Sequence, residues 1–142
     1  MSKFIVKVDH IPNFTEYPIS KNELWSMLEP LGLTRRYLWD GQFWYVSHED
    51  WGRIFTDILC NMPKYTKDKF DCENFGMLVS ARVSEKYKLN TCGIVVGNSP
   101  WGYHGYNMFL SDQGLFYLEP QNGEVYSVVE DSGYKAQIVI FG

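Results

Sequence analysis

The stretch Phe70-Asp71-Cys72-Glu73-Asn74-Phe75-Gly76-Met77-Leu78-Val79-Ser80-Ala81 decides how the rest of the chain is read. Asp71 has the side chain of a helix N-cap, and Phe75, Leu78, Val79 and Val83 recur at helical spacing. They predict a helix from Cys72 to about Tyr87 with a thiol in its first turn. A helix N-terminus carries roughly half a positive charge, which favours a thiolate, the nucleophilic form. The position suits a reactive cysteine. It suits plain core equally, because cysteine is among the most buried residue types.

Upstream, Ser47 caps a helix with Glu49 and Asp50 in its first turn. Trp51, Ile54, Phe55, Ile58 and Leu59 form its apolar stripe, and Pro63 ends it. Before that, Ser20 and Glu23 make a capping box for a helix reaching about Leu28. Leu24, Trp25 and Leu28 share its apolar face, and Pro30 and Gly32 close it. Residues 35–47 hold Tyr37, Trp39, Phe43, Trp44 and Tyr45 around Asp40-Gly41, which predicts a short hairpin. Those aromatics fill a core or line a groove. Residues 3–8 predict a short strand, and residues 10–18, with two prolines, a loop.

Downstream, the character changes. Residues 91–97 are apolar and β-branched, as in a buried strand. Residues 104–111 alternate, Asp112-Gln113-Gly114 turns, and residues 115–118 return. Asn122-Gly123 is a second turn, and residues 124–129 and 136–141 complete a sheet. Helices followed by strands predict an α+β fold, an N-terminal helical half packed on a C-terminal antiparallel β-sheet. No linker or repeat divides it, so one domain over residues 1–142 is expected.

The totals bound the function. The 142 residues are 45% hydrophobic and 17% aromatic, which argues for a packed core and against disorder. A net charge of -4 without a basic run argues against nucleic acid. No stretch is apolar enough to span a bilayer, and Met1-Ser2-Lys3 does not open a signal peptide, so no membrane partner is expected. Cys60, Cys72 and Cys92 are an odd set without paired spacing, which points to free thiols in a cytoplasmic, reducing compartment.

A cysteine nucleophile needs a base, and the base an orienting acceptor. Of the three histidines, His10 lies in a proline-containing loop and His48 at a helix start, where it reads as solvated surface. His104 opens a strand among glycines and is the best candidate. If Leu110 pairs with Leu115, Glu119 faces Tyr106 and lies diagonal to His104, about 7 Å away between backbones. A register one residue off turns Glu119 to the other face. Asn107, Gln121 and Asn122 are nearby polar substitutes.

Three segments carry a resemblance. Tyr65 precedes Phe70-Asp71-Cys72-Glu73-Asn74-Phe75; His104 sits in Gly102-Tyr103-His104-Gly105-Tyr106-Asn107; and a strand ends Leu118-Glu119-Pro120-Gln121-Asn122-Gly123. In this order they resemble the papain-like and transglutaminase-like cysteine hydrolases. Within that group they are most similar to the C-terminal protease domain of the Marasmius agglutinin and its bacterial and phage relatives. Asp71-Cys72 also resembles the cell-wall peptidases built on Asp-Cys-Ser-Gly, a weaker match because Glu73-Asn74 follows.

The resemblance implies a papain-like fold and a cysteine peptidase, amidase or acyltransferase acting on a peptide or protein substrate. It implies Cys72 as nucleophile, His104 as base and Glu119 as orienting acid, with calcium as a possible metal and no required cofactor. The papain family's upstream oxyanion glutamine has no equivalent near Cys72, and Gln42 is the only upstream glutamine. Trp44, Trp101, Asn107 and Gln121 are further candidates for contact with substrate. The alternative is a non-catalytic binding or accessory module, with the Tyr37–Tyr45 and Trp101–Tyr106 aromatics as its contact surface.

Overall fold

The computed structural model describes residues 14–142; the expected strand at 3–8 and His10 lie outside them. The chain runs β1 (Tyr17–Ser20), α1 (Lys21–Leu28), a 3-10 turn (Glu29–Leu31), β2 (Arg35–Leu38), β3 (Gln42–Tyr45) and α2 (His48–Leu59). Then come α3 (Cys72–Tyr87), β4 (Cys92–Ser99), β5 (Gly102–Ser111), β6 (Gly114–Leu118), β7 (Val125–Ser127) and β8 (Lys135–Phe141). Six strands form one sheet in the order β2-β8-β4-β5-β6-β7, and β1 and β3 form a separate pair. Only β2, parallel to β8, breaks the antiparallel pattern of the large sheet.

The architecture is α+β, with material on both faces of the sheet. On one face, Leu24 and Leu28 of α1 and Phe43 of β3 pack with Tyr106, Met108 and Val139. On the other, Trp51, Ile54 and Phe55 of α2 and Val79 and Val83 of α3 pack with Phe109 and Leu118. The indole of Trp51 donates to the Leu110 carbonyl at 2.7 Å, satisfying its buried N–H and tying α2 to β5.

The caps act as their side chains require. Ser20 and Glu23 bond reciprocally at the start of α1, and Ser47 accepts from Asp50 N–H at the start of α2. Gly32 follows the 3-10 turn at φ 64°, a conformation natural to glycine. α2 ends at Leu59, before Pro63.

Four expectations need correction. The helical half is not purely helical, because β1, β2 and β3 interleave with α1 and α2. Pro18 lies within β1, in a two-stranded pair whose edges tolerate proline. The hairpin about Asp40-Gly41 does not form: β2 pairs with β8 and β3 with β1. Asn90 fixes that divergence, accepting from Trp44 N–H at 2.8 Å and donating to Asp40 Oδ2 at 2.8 Å and the Gln42 carbonyl at 3.0 Å. Finally, Trp25 is not core but 40% exposed, with the Arg36 guanidinium 3.7 Å above its ring.

Candidate functional site

The start of α3 is laid directly on β5, and two glycines make the approach possible. A Cβ on Gly105 would come 2.8 Å from Glu73 Cα, and one on Gly76 would lie 3.2 Å from the Tyr106 carbonyl oxygen. Asn107, fully buried, braces the same contact by donating to the Gly76 carbonyl at 2.9 Å and the Gly93 carbonyl at 3.0 Å. Cys72, at the head of α3, and His104, beside Gly105, therefore line one cleft of ≈ 570 Å³.

Glu119 reaches this cleft through the β5–β6 hairpin. Leu110 lies opposite Leu115 and Asn107 opposite Leu118, so the next residue, Glu119, faces Tyr106. Its carboxyl is nearly sealed, at 1% side-chain exposure, and His104 Nε2 lies 2.7 Å from its Oε1. The Tyr134 hydroxyl donates to the same oxygen at 3.1 Å, and Gln121 N–H donates to Oε2 at 3.2 Å. The Gly123 N–H closes the following turn onto the Glu119 carbonyl at 2.8 Å. Gly123 itself sits at φ 81°, which explains the Asn-Gly signal.

The thiol is held differently from the helix-terminus expectation. Cys72 Sγ donates to Glu73 Oε2 at 3.3 Å, and among the described residues its bond does not go to His104. Burial pushes the Cys72 thiol above its ordinary range, and the Glu73 carboxyl adds to the rise, while the Gly105 backbone N–H opposes it. Glu73 is held low, first by its own backbone N–H and then by Asp71, whose carboxyl is raised chiefly by the same contact. Burial chiefly, with the Glu73 carboxylate adding to it, favours the protonated thiol.

Trp101 and Gln121 line the cleft with Tyr65, Tyr103 and Asn122. Trp101 is 69% exposed and Tyr103 60%, so their rings form its open rim. Gln42 and Trp44 do not reach it: both lie on β3, in the pair with β1, where Asn90 bonds their backbone. Asn107 does not reach it either, being buried between α3 and β4. His48, expected on the surface, packs on Phe116 with ring centroids 4.5 Å apart. Sequence reasoning passed over Tyr65 as a lining residue, though it lies in a quoted segment. It missed Tyr134 entirely, and no local pattern marks it.

Asp112 accepts from His48 N–H and Asp71 Oδ2 from Asp68 N–H, and no three His, Cys, Asp or Glu side chains cluster for a metal among the described residues.

A model of the ricin-type beta-trefoil lectin C-terminal domain family matches residues 33–141. No curated protein sequence matches. Among solved structures, a "PSL1a-E64 complex" matches with TM-score 0.69 and 24% identity over 87% of this chain and 51% of that one. Polyporus squamosus lectin bound to the epitope Neu5Aca2-6Galb1-4GlcNAc matches with TM-score 0.69 and 23% identity, over 87% of this chain and 49% of that one. At these identities the likeness is one of fold, and the chain spans about half the length of the lectin chains it matches. The findings overturn the expected placement among papain-like hydrolases of bacterial or phage type, and with it the cysteine peptidase assignment. The described residues form helices on a mixed sheet, with the match covering most of that architecture, and the chain belongs to the ricin-type beta-trefoil lectin C-terminal domain family.

Proposed function

We propose that this domain is a non-catalytic binding module and that its ligand sits in the cleft over Cys72, His104 and Glu119. The observation that carries this reading is the match of residues 33–141 to a lectin C-terminal domain family, and the Cys72 thiol bonded to Glu73 is consistent with it. A ligand seat needs no thiolate, whereas nucleophilic catalysis does.

The rim favours a sugar. Exposed faces of Trp101, Tyr103 and Tyr65 suit the apolar face of a sugar ring. Gln121, Asn122 and His104 beside them offer partners for hydroxyls. The neighbours' ligands, E64 and Neu5Aca2-6Galb1-4GlcNAc, supply probes. The reading calls on no cofactor. It takes residues 1–142 as one domain, supported by two cores that share a sheet. It places the domain in the cytoplasm, supported by three free cysteines.

The test is titration calorimetry with a glycan panel that includes the trisaccharide. Trp101→Ala is expected to weaken binding at least about tenfold, the worth of a stacked aromatic contact. Trp39→Ser, outside the cleft, should not. Absence of glycan binding overturns the ligand class. Iodoacetamide labelling of Cys72 faster than a free model thiol, or an E64 mass increase that survives denaturation, overturns the non-catalytic reading.

A further inference from the structure

We infer that Tyr134 is a positioning residue of this cleft: its hydroxyl holds the Glu119 carboxyl in the rotation that bonds His104. The inference rests on the cleft being the binding site, but its test needs no ligand.

A glutamate carboxyl turns easily about its last bond. Here both oxygens are held. Oε2 takes Gln121 N–H, and Oε1 takes two donors, His104 Nε2 at 2.7 Å and the Tyr134 hydroxyl at 3.1 Å. Both groups are buried, with Tyr134 5% exposed and Glu119 1%, so water is a poor replacement for a lost donor. With Oε1 accepting, a neutral His104 carries its proton on Nε2. The other ring nitrogen is then an acceptor, suited to a ligand hydroxyl.

Tyr134 is itself fixed in place. Its ring packs edge-on against Tyr106 and stacks on Tyr126, each at 5.0 Å between centroids. Its N–H donates to Ser132 Oγ at 3.3 Å. The preceding Gly133, at φ 87°, lies so close to Pro100 that a Cβ would meet Pro100 Cγ at 3.0 Å. The segment ahead of β8 thus rests on the β4–β5 turn, and Trp101 of that turn stands edge-on to both His104 and Tyr134. Tyr134 acts on His104 through Glu119. Cys72 of α3 lines the same cleft as the imidazole, and the Glu73 charge interacts with it.

The experiment is NMR of the full chain with labelled histidine and tyrosine. In the unaltered protein, His104 should show one form with hydrogen on Nε2, and that proton should give a cross-peak to the Tyr134 hydroxyl proton. Tyr134→Phe keeps the ring and deletes the hydroxyl. It should mix the two ring tautomers and speed solvent exchange of the Nε2 proton about tenfold, the net worth of roughly one hydrogen bond. Tyr126→Phe, altering a ring that stacks on Tyr134 but does not bond Glu119, should leave both signals unchanged.

An unchanged His104 signal in Tyr134→Phe, or an equal change in Tyr126→Phe, overturns the inference. If Tyr134→Phe fails to fold, the cross-peak in the unaltered protein decides alone: its absence overturns the inference. Glycan titration is read separately. A protein that shows the Nε2 pattern but binds no sugar keeps the positioning role and loses the ligand reading.

Discussion

Two stretches of this chain look alike on paper and fold differently. Residues 35–47 and 104–119 are both aromatic-rich, and each is folded about an Asp/Gly turn signal. The second becomes a hairpin, with Leu110 opposite Leu115, and delivers Glu119 to His104. The first splits between two sheets, β2 beside β8 and β3 beside β1. The difference lies in what flanks the turn. β5 and β6 present apolar side chains to cores on both faces, so a slip in register would misplace them all. β2 and β3 are four residues each, and Asn90 bonds the β3 backbone at Gln42 and Trp44, so partners distant in sequence win. A turn signal sets a bend; the available partners set the pairing.

The comparison can be broken most severely at Glu119. Glu119→Ala leaves His104 and Tyr134 without their shared buried acceptor, and should cost about 3 kcal/mol by urea unfolding. Gly105→Ala forces a methyl group into the Glu73 backbone; a loss of about 2 kcal/mol is expected, with weaker ligand binding in calorimetry as α3 moves off β5.

On the other side of the comparison, Asn90→Ala should cost about 1 kcal/mol. Hydrogen exchange at Trp44 N–H should quicken while the His104 NMR signal stays unchanged.

A pH titration probes the hairpin's neighbour β4. Burial pushes the Cys92 thiol well above its ordinary range. Folding therefore holds that proton more tightly than the unfolded chain does. Its contribution is full below the unfolded value of about 8.5 and is lost as pH rises, about 0.8 kcal/mol by pH 9. Denaturation midpoints from pH 7 to 9 should fall accordingly, and Cys92→Ala should flatten that part of the slope. The smallest effect belongs to the sheet edge: Trp39→Ser, at a residue 71% exposed, should change stability by less than about 0.5 kcal/mol in the same assay.

Much of the site could be read from residue patterns. The Asp71 cap starts α3 at Cys72, and the spacing across Asp112-Gln113-Gly114 places Glu119 within reach of His104. What misled was chemistry read one residue at a time. The helix terminus argued for a thiolate, yet Glu73, the very next residue, accepts a hydrogen bond from the thiol. The peptidase likeness drawn from the same segments gave way to the lectin C-terminal domain family.

The sequence by itself determined the helix starts and the α+β class, and it left the hairpin register to the structure. Caps, turns and side-chain periods act between residues a few positions apart, so neighbours suffice to set them. Only the tertiary structure decided which strands pair with β2 and β3, that Cys72 favours its protonated form, and that Tyr134 joins Glu119. Burial and hydrogen bonding across distant segments depend on which surfaces meet, and no local pattern encodes that.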